Sequence, residues 1–381
     1  MAAPSAPPKS GGKQAAPPPR PFIIGVQSVE FTNYDRTVTL GTGTQDLPAF
    51  EIPPQGFLRG IYLLVEGTAT NAATTVAYAD ADAPFSVIDS ITVEDTNSKP
   101  ILGPLGGHDV YCINKYGGYT FYSDPKASPV YKADTGTGAS IALAFVLRLP
   151  IELVARDGVG ALPNKSGTNM FRIRIRLAAA STVYSTPPSG AMTVRVRMVP
   201  ENWWQPNATD LKGRPLAQTP PAMNTTQYWT RSAIAVNSGA QAIQIQAGLG
   251  YLLRNYIFQN RTAGGARNST SEGNWPDPVA LQFEATPLFE RIKGLWRDRM
   301  VRDFGYSSTV ETADGLDYST YVLPFNKDFG LKPGAETRRG YLATADGSRM
   351  EFRGNFGAAA TFVVLANYVN PVGGDDARIT G

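Results

Sequence analysis

Apolar and polar residues alternate in short runs along most of the chain, and the runs are closed by Gly, Pro, Asn or Asp. In 171–177, Phe171, Ile173, Ile175 and Leu177 alternate with Arg172, Arg174 and Arg176; in 194–198, Val194, Val196 and Met198 alternate with Arg195 and Arg197. A period of two places successive side chains on opposite faces of a strand, so the apolar sets face a core and the arginines make a basic outer face. That face is either a solvated surface that blunts edge pairing or a subunit interface built from Arg–carboxylate pairs. Further strands are predicted at 22–24, 36–40, 87–93, 141–147, 233–236, 279–283, 318–323, 349–353 and 360–366. In 57–66 both alternating sets are apolar, Ile61, Leu63 and Val65 on one and Leu58, Tyr62 and Leu64 on the other, which predicts a strand buried on both faces.

The run Phe57-Leu58-Arg59-Gly60-Ile61-Tyr62 comes back as Tyr251-Leu252-Leu253-Arg254-Asn255-Tyr256, each copy after a similar lead-in, Ala49-Phe50-Glu51-Ile52 and Ala242-Ile243-Gln244-Ile245. Solenoid repeats have periods of roughly 20–50 residues, so a repeat at this long range means one β-fold written twice. The expected units are an arm at 1–21, a first domain at 22–204, a linker at 205–226 carrying Pro206, Pro215, Pro220 and Pro221, a second domain at 227–371, and a tail at 372–381. Helical spacing interrupts the strands twice. His108–Tyr116 lies between glycine pairs, and a second helix is predicted from Thr286 as cap and Pro287 as first residue to Gly305, with Phe289, Ile292, Trp296 and Met300 on its apolar face. Gly264–Thr270 reads as an exposed polar loop. Each half then holds about eight strands with a short helix after the fourth, the count of a jelly roll, and the fold class is all-β, two tandem eight-stranded jelly rolls.

Composition agrees: of 381 residues only 18 % are charged, while Gly (38) and Pro (30) are abundant, as turns between short strands require. A net charge of +3 is too small for a dedicated nucleic-acid binder, so no sequence-specific nucleic-acid partner is expected. Cys112 is the sole cysteine, which excludes an internal disulfide. Neither a signal peptide nor a membrane-spanning apolar stretch is recognisable, and synthesis in a host cytoplasm is expected. The first 20 residues carry Lys9, Lys13 and Arg20 with no acid, which reads as a solvated tail or as a basic tether to a neighbouring subunit or an anionic membrane surface.

Chemistry is hard to assemble from these residues. His108 and Cys112 share a helix face but lack the further ligands or the base across a cleft that a metal or nucleophile site needs. Asp134-Thr135-Gly136 matches an aspartic-protease triplet that occurs once, in a Gly-rich turn without the Lys-Ser/Thr ending of a phosphate loop. Asp80, Asp82, Asp375 and Asp376 lack a calcium-loop pattern and read as solvated turn acids. Trp203, Trp204, Trp229 and Trp275 suit a sugar platform or interface anchors. No enzyme activity, catalytic residue, cofactor or metal is expected.

The order of elements, carried by Gly56-Phe57-Leu58 to Val65, Ala83-Pro84-Phe85 to Val93, His108 to Tyr119, and Thr337-Arg338-Arg339-Gly340 to Val369-Asn370-Pro371, resembles the double jelly-roll major capsid proteins of tailless, internal-membrane phages of the tectivirus type. The arm departs from that likeness in being Pro-rich. The resemblance implies a virion protein: a pseudo-hexameric homotrimer that tiles an icosahedral shell and meets neighbouring capsomers, minor capsid, vertex or membrane proteins, and the viral inner membrane. With it, Trp203, Trp204, Trp229, Trp275, Arg172, Arg174, Arg176, Arg195 and Arg197 become candidate barrel–barrel contacts. The alternatives are a phage spike, a lectin-like carbohydrate-binding β-sandwich protein, or a β-sandwich glycosidase.

Overall fold

The computed structural model describes residues 26–72, 74–119, 124–153, 158–204, 226–245, 250–267, 272, 274–284, 286–304, 318–325, 340–344 and 349–370. Among them the first half has eight main strands: β1 (Tyr34–Thr39), β2 (Phe50–Glu51), β3 (Phe57–Thr70), β4 (Ile88–Glu94), β5 (Pro100–Leu105), β6 (Ser140–Pro150), β7 (Arg172–Leu177) and β8 (Thr193–Trp203). The second half has eight more: β9 (Gln227–Val236), β10 (Gly239–Ile245), β11 (Leu252–Thr262), β12 (Val279–Phe283), β13 (Thr286–Arg291), β14 (Thr320–Pro324), β15 (Met350–Phe356) and β16 (Ala360–Val369). Ser28–Glu30 and Gln45–Asp46 prolong β1 and β2 along β8 and β7.

The sheet orders repeat. In the first roll β1-β8-β3-β6 faces β2-β7-β4-β5; in the second β9-β16-β11-β14 faces β10-β15-β12-β13, the same orders with eight added to each number. Even an irregularity is copied. Gly60 and Leu58 pair with consecutive residues Glu201 and Asn202, so Arg59 is bulged out; Asn255 and Leu253 pair with consecutive Asn367 and Tyr368, so Arg254 is bulged out. Each bulged residue's carbonyl accepts a bond from the backbone just after a Leu-Pro pair, from Ile151 and Glu152 in one roll and Phe325 in the other. The two rolls join edge to edge where Leu102 of β5 pairs in parallel with Trp229 of β9, making one ten-stranded sheet.

Alternation supplies the core. Leu63, Val65, Ile91, Phe145 and Val196 fill the first roll, and Phe258, Phe352 and Phe362 with Trp275 and Trp296 fill the second, all buried. Each such side chain contributes about 1.5–3 kcal/mol on burial, enough to hold a roll with no disulfide. A helix follows the fifth strand of each roll, one strand later than the sequence predicts: α1 (Gly107–Tyr116) and α2 (Lys293–Phe304).

The structure corrects several other expectations. Residues 286–291 form β13, not the first turns of a helix, because they pair with β12 across a hairpin whose Glu284 takes positive φ. The helix starts at Lys293, whose N–H is capped at 2.9 Å by Asp277. Trp296 and Met300 are buried as predicted, but Ile292 is 52 % exposed. In the 57–66 strand the second face is only partly covered, with Leu58 buried and Leu64 half-buried but Tyr62 36 % exposed; its second copy, β11, is buried from Leu252 to Arg261 because another element covers it. Arg267, in the loop expected to be exposed, is buried. The Phe22-Ile23-Ile24 strand, the arm, nearly all of the expected linker, and the tail lie outside the described residues.

Candidate assembly interface

All ten residues of α1 are buried, although it includes His108, Asp109, Asn114 and Lys115. One side packs on its own roll, where Tyr111 stacks on Phe85 at 4.7 Å. The other lies against the outer face of β11, so the helix is a wedge between the rolls. Gln259 donates to Asp109 at 3.4 Å, and Tyr116 meets Phe304 edge-on at 5.5 Å.

Charge converges on Asp82, in the turn before β4. Its carboxylate accepts from Arg261 of β11 at 2.7 Å and from Arg267 at 2.9 Å, and lies 3.6 Å from His108. Burial by itself raises the Asp82 pKa; the charges of His108, Arg261 and Arg267 and the Arg261 hydrogen bond overcome that and hold it well below the usual carboxylate range. Burial likewise works against the Arg261 charge, but Asp82 and Asp109 raise its pKa above the ordinary value. Asp80 is shifted upward, by burial first and then by the charge of Asp82. Arg231 completes the set, 2.9 Å from Asp109. Asp80, Asp82, Asp109, Arg231 and Arg261 line a cleft of about 400 Å³ at this junction. Ionic groups removed from water gain little net stability, but each fits only one arrangement of partners, so the network fixes how the rolls meet.

A second, polar set locks the same junction. The bulged Arg254 donates to Tyr119 Oη at 3.1 Å, Asn367 Oδ1 at 3.0 Å and the Gly117 carbonyl at 3.0 Å. Gln227 donates to the carbonyls of Ile151 and Glu152 and accepts from Tyr119 at 2.8 Å.

The predicted interface residues fall into two groups. The arginines do not make a basic face: each is paired within the chain to a carboxylate on an adjacent strand, Arg172 with Glu51, Arg174 with Glu94 and Arg176 with Asp46 at 2.8 Å each, Arg195 with Asp35, and Arg197 with Glu66. The hydrogen bond from Arg176 lowers the Asp46 pKa and that from Arg195 lowers the Asp35 pKa. Three of the four candidate tryptophans are buried within the chain. Trp203 donates to Glu152 at 2.6 Å under the Arg59 guanidinium; Trp229 sits where the rolls join; Trp275 stacks on Tyr321 at 4.1 Å. Trp204 is 50 % exposed. Lys9, Lys13 and Arg20 lie outside the described residues.

His108 and Cys112 are spent on packing and on the junction, with the Cys112 sulfur 3.8 Å from the ring. Asp134 accepts from the Ala142 N–H at 3.0 Å, a bond across the loop that leads into β6. Among the described residues no group of three or more His, Cys, Asp or Glu is placed to hold a metal ion. Asp82, read from the sequence as a solvated turn acid, is instead closed in by Arg261, Arg267 and His108, and sequence reasoning gave no role to Arg261, Arg254 or Arg59. The visible signal was Arg59 and Arg254 recurring at one position of two apolar runs.

No family model matches the chain, and no curated protein matches it in sequence. Solved structures do. The STIV MCP, from Sulfolobus Turreted Icosahedral Virus, superposes with a TM-score of 0.64 at 13 % identity, over 91 % of this chain and 98 % of that one. The chain has the double jelly-roll fold. The PBCV-1 virus capsid matches at 0.57 and 10 % identity (94 % and 96 % covered), and the major capsid protein P2 from Bacteriophage PM2 at 0.52 and 11 % (90 % and 97 %). In this double jelly roll the junction network is the only site where buried charge gathers from both halves among the described residues, and it serves assembly of the two rolls.

Proposed function

We propose that the chain is a viral major capsid protein, assembling as pseudo-hexameric homotrimers into an icosahedral shell around an internal membrane, as in tailless phages of the tectivirus type. One observation carries this: the fold matches solved capsid proteins over nine-tenths or more of both chains. The duplicated topology supports it physically, because three chains of two alike rolls present six similar units and a near-hexagonal outline that tiles a surface. The protein then resides in the virion after synthesis in the host cytoplasm, its partners are its own copies, minor capsid, vertex and membrane proteins, and it has no catalytic role. The arm, with Lys9, Lys13 and Arg20, reaches a neighbour or the membrane surface. Light scattering on the purified protein tests the first step. The expected particle holds three chains of 40.9 kDa each, and electron microscopy of virions should place it in the shell. A chain that stays monomeric at every concentration and is missing from the shell would sink the proposal.

A further inference from the structure

The contact that joins the rolls inside one chain has a second, unfilled copy. Within the chain, the first roll offers the edge of β5 and the helix α1, and the second roll receives them on the edge of β9 and the outer face of β11. Adding eight to the strand numbers gives the counterpart: the second roll offers β13 and α2, and a first roll would receive them on β1 and β3. A chain cannot make that contact with itself, because its own first roll is already engaged from the other side. Among the described residues these elements are open. β13 pairs only with β12, and Ser28–Glu30 and β1 pair only with β8.

Exposure falls where the repeat requires it. The bulges align Asn255 with Gly60, so the buried Ile257, which faces the junction, is matched by Tyr62, 36 % exposed. Both helices begin two residues after the preceding strand ends, so the third residue of α1, the buried Asp109, is matched by Leu295, 59 % exposed. Val110 and Trp296, the next residues, are both fully buried, which confirms the alignment. Leu288 on β13 and Ile292, 39 % and 52 % exposed, extend the apolar patch.

We infer that the Leu288, Ile292 and Leu295 surface of one copy docks on the Tyr62 face of β3 and the β1 edge of a second copy of this chain. The contact is head-to-tail, so it is satisfied at every position only when a ring closes. This rests on the capsomer reading above and names its interface.

Paired cysteine variants test it, since Cys112 is fully buried and silent. The doubly substituted chain Tyr62→Cys with Leu295→Cys, treated with a short bismaleimide, should run as two- and three-chain species on a denaturing gel. Either substitution alone should leave single chains, as two identical residues do not meet in a head-to-tail contact. Leu295→Asp and, as a second variant, Ile292→Asp should change the light-scattering mass from three chains to one with an unchanged far-ultraviolet circular dichroism spectrum. If the unsubstituted protein is trimeric but the pair does not cross-link and the Asp variants stay trimeric, the interface is wrong and the capsomer stands. A monomeric unsubstituted protein overturns both.

Discussion

Asp82 shows what a single residue can conceal. By sequence it sits in an Asp-rich turn and reads as solvated; in the fold Arg261 reaches it from 179 residues away. Turn chemistry is local and legible, whereas the partner of a charge is set by tertiary packing and is not. Asp82→Asn leaves Arg261 and Arg267 facing a neutral amide in a site largely closed to water, and we predict a loss of about 3–5 kcal/mol in thermal or urea unfolding. The pH dependence has a definite sign. The folded pKa is depressed, so Asp82 contributes its full stability above its unfolded value, about 3.9, and loses it as pH falls toward the folded value. The unsubstituted protein should therefore weaken below roughly pH 4, and Asp82→Asn should have a flatter acid limb. An identical slope in the two proteins would remove Asp82 from the account.

Elements were legible where alternation is strict. The runs 171–177 and 194–198 fall on strands β7 and β8, because Arg and apolar residues cannot exchange faces without burying charge. The 286–291 stretch was not, because Thr-Pro is a good helix start in isolation and its strand pairing depends on β12. The cap that α2 uses, Asp277, is 16 residues upstream, beyond any local capping pattern. Trp296 ties this helix down. It is fully buried, donates to the Val322 carbonyl at 2.8 Å and meets Trp275 edge-on. Trp296→Ala should cost about 3–5 kcal/mol. Amide exchange should quicken in α2 more than in α1, which is held from both sides; equal changes in the two helices would contradict this packing.

At the scale of the whole molecule, the duplication was readable because β3 and β11 kept the same apolar run around an arginine. The meeting of the rolls was not readable, because its residues come from the turn before β4, α1, β9, β11 and the loop after it. Since that meeting buries charge from both rolls, neither half can open without stranding the other's ions. We predict one calorimetric transition for the intact protein and two for Arg261→Ala; two transitions in the unsubstituted protein would mean independent rolls. The arm belongs to this scale as well. Removing residues 1–20 should leave the melting temperature unchanged while reducing closed shells, because its composition has no apolar pattern to contribute to either core. A truncated chain that fails to fold would make the arm part of the structure.

The Leu102–Trp229 bridge has a mechanical consequence. β9 and β16 are registered over ten residue pairs, but β5 and β9 meet through one. Under bending, a ten-stranded sheet built this way is stiff on both sides of a line and compliant along it, so strain gathers at that crease. The Asp82–Arg261 and Arg254 contacts lie beside it and stretch before the ladders do. A wall made of such units would yield by many small folds at these lines, each reversible, and keep its strands intact.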